Sequence, residues 1–84
     1  MSNRILVADD SLTIQKVVGI TLSDTDYELY QALTEEELMN SLDSGQFDLI
    51  LLDFNLSESS PGNELVRSIR EKNENIPILI MLGT

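Results

Sequence analysis

Arg4-Ile5-Leu6-Val7-Ala8-Asp9-Asp10 and Phe47-Asp48-Leu49-Ile50-Leu51-Leu52-Asp53 decide the fold. Each is a strand-length apolar run that ends in acid. Continuous apolar character over such a length suits a strand covered on both faces, as in a parallel sheet. If the two runs are neighbouring parallel strands, Asp9, Asp10 and Asp53 converge at one edge of a sheet. Crowded carboxylates repel, and each raises the proton affinity of the others. A divalent cation is the usual relief. The chain contains no Cys and no His, so oxygen ligands remain, and with them Mg2+ or Ca2+ rather than a transition metal.

Outward from these runs the pattern alternates between strand and helix. Ser11 can cap a helix that carries Ile14, Val17, Val18, Thr21 and Leu22 at helical spacing. Tyr27 to Ala32 reads as a second strand. Thr34 and Glu37 match a capping box, with Leu33 and Leu38 as its hydrophobic staple. Leu38, Met39 and Leu42 give that helix its apolar face, and Gly45 is a stop. Phe47 to Leu52 is the third strand. Asn55 to Gly62 is a polar loop, and a third helix follows with Leu65, Val66 and Ile69 inward. Ile76 to Leu82 is the fourth strand, entered through Pro77, where a missing donor is tolerated. The order β-α-β-α-β-α-β calls for an α/β fold with a doubly wound parallel sheet.

Composition narrows the function classes. With 84 residues the chain makes at most one domain, with a thin core. The net charge is -10, with only five Lys and Arg against fifteen Asp and Glu. That argues against a nucleic-acid surface in this segment. An acidic face of this kind keeps a protein soluble and can meet a basic partner. No apolar stretch approaches the roughly 20 residues of a membrane helix. The start runs straight into a strand pattern, without room for a signal peptide. A cytoplasmic protein with no membrane contact is expected.

In open α/β sheets, ligands bind beyond the carboxyl ends of the strands, where the strand order reverses. With order 2-1-3-4 that point falls between the first and third strands, where the three aspartates end. Here the residues resemble the receiver domain of two-component response regulators. Ile5-Leu6-Val7-Ala8-Asp9-Asp10-Ser11 is similar to that family's first strand and acidic pair. Asp48-Leu49-Ile50-Leu51-Leu52-Asp53-Phe54-Asn55-Leu56 is similar to the strand that carries its phosphoacceptor, and Ile76-Pro77-Ile78-Leu79-Ile80-Met81 to its fourth strand. The resemblance implies a flavodoxin-like receiver over residues 1–84, incomplete at the C-terminus. The family's fifth strand, last helices and late lysine would lie beyond Thr84.

The resemblance also implies roles. Asp53 would take a phosphoryl group from a sensor histidine kinase or a phosphotransfer protein. Mg2+ would be held by Asp10 directly, by Asp9 mainly through water, by Asp53, and by the backbone carbonyl of Asn55. The phosphorylated surface would be read by a downstream output domain or protein, so the chain is a signalling switch rather than an enzyme of metabolism. Receivers act on their own phosphate at most.

Three positions depart from the family pattern. Ser57 stands where a proline is usual, and Gly62 comes one residue late. Leu82 occupies the place of the switch Ser or Thr, which puts Thr84, two residues on and of the same parity, forward as the switch residue. These departures motivate an alternative, a non-phosphorylated pseudo-receiver that acts as a protein-interaction module. A phosphohydrolase of the haloacid-dehalogenase type wants a second Asp two residues after the first, and Asn55 stands there. An exposed edge on the fourth strand would invite pairing or swapping between chains, so a dimer is an outcome to test.

Overall fold

A computed structural model describes residues 3–82. The elements run β1 (Asn3–Ala8), α1 (Leu12–Thr21), β2 (Tyr27–Ala32), α2 (Glu35–Ser44), β3 (Leu49–Asp53), α3 (Gly62–Lys72) and β4 (Ile78–Met81). All neighbouring strands pair in parallel, in the order β2-β1-β3-β4. This is the doubly wound α/β sheet that the alternation of patterns requires.

The period-2 geometry of strands divides the apolar residues between two faces. Leu6, Ala8, Ala32, Ile50 and Leu52 pack with Leu38 of α2 and with Leu65 and Ile69 of α3. Ile5, Val7 and Leu51 pack with Val18 and Leu22 on the α1 side. Two helices close the first face, and its largest side chains are fully buried. One helix covers the second, where a groove of about 550 Å3 remains, lined by Val17, Val18, Leu49, Leu51 and Leu79 among others.

Local chemistry sets the element ends. Ser11 Oγ accepts the Ile14 N–H at 3.2 Å and starts α1. Thr34 Oγ1 accepts the Glu37 N–H at 3.1 Å, while Glu37 Oε1 reaches back to the Leu33 N–H at 2.7 Å. The expected capping box is therefore present, with its return bond one residue upstream of the usual place. Gly45 caps α2, as expected.

Three expectations shift. β3 begins at Leu49 rather than Phe47. The Asp48 carboxylate takes the Arg4 N–H at 2.8 Å, and the Phe47 and Tyr30 rings meet edge to face with centroids 5.3 Å apart. β4 is shorter than residues 76–82: Ile76 is buried ahead of it, and its N–H is held by Asn73 Oδ1 at 3.2 Å. On α1, Val18 and Leu22 reach the core, but Ile14 and Val17 stay 37% and 51% exposed. The buried position on that helix is Gln15.

Candidate functional site

The register between β1 and β3 assembles the site. Ala8 lies opposite Leu52, and the same register carried one residue further sets Asp9 beside Asp53. Asp9, Asp10 and Asp53 each offer a carboxylate oxygen, and these oxygens lie within 4.8 Å of one another. With Ser11, Ile14, Met81 and Leu82 they line a cavity of about 210 Å3 at the carboxyl ends of the strands. The convergence expected from the two apolar runs is thus present.

Each acid has a different setting. Asp9 is buried, and its Oδ1 accepts the Ser11 N–H at 2.8 Å. Its backbone N–H donates to the Ala32 carbonyl at 3.0 Å. Burial pushes the Asp9 carboxyl up from the ordinary carboxylate range. The Ser11 N–H opposes that rise, while the charges of Asp53 and Asp10 add to it. Asp10 is exposed at the start of the turn into α1. Asp53 ends β3, and its Oδ1 accepts the Asn55 N–H at 3.0 Å. This bond ties one Asp53 oxygen to the loop.

The donor set fits a hard divalent cation. Oxygen ligands from carboxylates, few in number and partly open to water, are what Mg2+ accepts. Asn55 is exposed in the loop after β3, with its N–H turned to Asp53. Thr84, the expected switch residue, lies outside the described residues. Leu82, which the resemblance would put at the switch position, is 78% exposed and lines the cavity.

The loop after β3 is fixed at several points despite its departures from the family pattern. Leu56 is buried in the α2–α3 face. Ser60 Oγ donates to Glu35 Oε1 at 2.9 Å, tying the loop to the start of α2. Gly62 lies so close under the Phe54 ring that a Cβ would run into it. Sequence reasoning missed this contact and missed Gln15. A signal for Gln15 was present, because residues 15, 18 and 22 share one helical face and the other two are apolar.

Comparison with known proteins agrees with this geometry. The response regulator receiver domain family matches residues 5–84. The chain is 31% identical over 83 residues to the regulatory protein VanR of Enterococcus faecium, covering 99% of this chain and 35% of VanR. It is 32% identical over 82 residues to the CAI-1 autoinducer sensor kinase/phosphatase CqsS of Vibrio cholerae, covering 95% of this chain and 12% of CqsS. The chain thus spans about a third or less of the length of these curated relatives. The response regulator TrrA of Thermotoga maritima, solved in complex with Mg2+-BeF, superposes with a TM-score of 0.85 at 30% identity. That likeness covers 98% of this chain and 70% of TrrA. Receiver domains bind Mg2+ at an acidic aspartate cluster, and the Asp9, Asp10 and Asp53 group is such a cluster. The family match across nearly the whole chain and the shared 2-1-3-4 sheet make this chain a member of the response regulator receiver domain family, the signalling switches of two-component systems.

Proposed function

We propose that this domain is a phosphorylation-controlled switch in which Asp53 accepts a phosphoryl group, with Mg2+ held by Asp9, Asp10, Asp53 and the Asn55 backbone carbonyl. The observation that carries the reading is the meeting of three carboxylates, with oxygens within 4.8 Å, at the strand-order reversal of the sheet. The phosphodonor is a sensor histidine kinase or a phosphotransfer protein, and the reader of the switched surface is an output domain or a downstream protein.

The residues divide the work. Asn55 N–H holds Asp53 Oδ1, and Asp53 lines the cavity, where its second oxygen is the attacking atom of the proposal. That oxygen forms a bond to phosphorus as the bond from phosphorus to the donor's imidazole nitrogen breaks. The electron pair leaves with the imidazole, and Asp53 becomes an acyl phosphate. The N-terminus of α1 points its dipole at this end of the sheet, which favours added negative charge. Bound Mg2+ supplies positive charge where a phosphoryl group would otherwise meet three carboxylates. The modified site then biases a two-state surface.

A second reading is the pseudo-receiver, favoured by Leu82 at the cavity mouth, where an apolar side chain replaces a hydroxyl. Intact-mass spectrometry after incubation with acetyl phosphate separates the two. The proposal expects a gain of one phosphoryl group that needs Mg2+ and disappears in Asp53→Asn. A folded full-length protein that gains nothing under these conditions is a pseudo-receiver.

A further inference from the structure

We infer that Gln15 is a positioning residue for the cation, an assignment that rests on the Mg2+ reading above. Gln15 and Asp9 are the buried polar side chains among the described residues, each about 5% exposed. Gln15 sits on the inward face of α1, in line with Val18 and Leu22, which anchor the helix in the core. Its Nε2 donates to the Val7 carbonyl at 2.8 Å and to the Asp9 carbonyl at 3.0 Å. One amide group thus joins the end of β1 to the helix that follows the acidic pair.

The consequence falls on Asp9 and Asp10. Asp9 has its N–H on Ala32, its carbonyl on Gln15 and its Oδ1 on Ser11. The bonds at Asp9 and at the Ser11 N–H fix the chain on either side of Asp10. Mg2+ demands near-ideal octahedral geometry and tolerates misplaced ligands poorly. Buried hydrogen bonds that orient ligand-bearing groups therefore tune affinity even when they touch no metal. An apolar side chain at position 15 would fill the same inward row but could donate to neither carbonyl. Gln15 acts through Asp9 and Asp10, and does not itself touch the reacting atoms.

Two measurements on the full chain test this. In the first, the Gln15 side-chain amide is followed by NMR in the wild-type protein during a Mg2+ titration. Its protons are expected to be slow to exchange and to shift along the Mg2+ binding curve. In the second, Mg2+ affinity of Gln15→Met is measured by calorimetry, together with Asp53 phosphorylation by acetyl phosphate. Affinity is expected to fall about 10-fold. The Mg2+ concentration for half-maximal phosphorylation rises in proportion, with most of the rate recovered at saturation. A folded Gln15→Met protein that melts earlier but binds Mg2+ like wild type reduces Gln15 to a structural role and overturns the inference. If that variant does not fold, Gln15 amide signals unmoved by Mg2+ in the wild type overturn it. Wild-type protein that binds no Mg2+ overturns the parent reading, and this one with it, before any variant is made.

Discussion

At the residue scale the tension of the site is concentrated on Asp9. Burial raises its proton affinity, and the charges of Asp53 and Asp10 add to the rise. A carboxyl that holds its proton more tightly when folded stabilises the fold below its unfolded pKa of about 3.9. That contribution is lost as pH rises through the raised folded value. At neutral pH the metal-free site is therefore a source of instability, which the proposed cation would offset. Asp9→Asn is expected to stabilise the metal-free protein by about 1 kcal/mol at pH 7, a typical gain when a strained functional site is relieved. The gain shrinks toward acid pH, and the stabilisation by Mg2+ weakens in the variant. Urea unfolding with and without Mg2+ at two pH values checks this. A metal-free Asp9→Asn protein less stable than wild type at pH 7 contradicts it.

At the element scale the loop from Phe54 to Gly62 shows what was readable and what was not. Its polar composition marked it as a loop, and Gly62 after Pro61 marked the entry to α3. The reason for glycine there was hidden, because it depends on the Phe54 ring folding back across the loop. Gly62→Ala is expected to cost about 1–3 kcal/mol, the range of an overpacked contact. In a Phe54→Ala background the cost should largely vanish, because the two residues share one contact. Thermal melts of the two single variants and the double variant measure this coupling. Additive losses would mean that glycine serves the backbone alone. The capping signals at Ser11, Thr34 and Glu37 were legible because each involves residues within one helical turn. Gln15 was obscured for the opposite reason: its partners are strand carbonyls that only the packed fold brings near.

At the scale of the whole molecule, the two apolar runs ending in acid carried the architecture. Period and alternation called for a parallel sheet, while the switch point and the meeting of Asp9, Asp10 and Asp53 also needed the 2-1-3-4 order of the receiver resemblance, which the sheet has. The extent of helix cover did not follow, since the half-exposed Val17 and the groove beside it depend on how many helices lie on that face. The same scale governs charge. A net charge of -10 on 84 residues sets up self-repulsion that salt screens. Raising NaCl should therefore stabilise the metal-free protein. Each 1 kcal/mol gained corresponds to about 4–8 °C in Tm for a domain of this size. Mg2+ should exceed NaCl at equal ionic strength, because it binds the site as well as screening. Calorimetric scans at matched ionic strength make the comparison, and equal effects would leave no specific site.

Everything proposed for this site depends on Asp53 itself being the phosphoacceptor. The most direct measurement is reductive trapping with borohydride after Mg2+ and acetyl phosphate, followed by peptide mass spectrometry. An acyl phosphate on Asp53 is reduced to homoserine at position 53, and that product is expected there and nowhere else. Unmodified Asp53 in a protein that carries the phosphoryl group on Ser57, Ser59 or Ser60 of the neighbouring loop would contradict it.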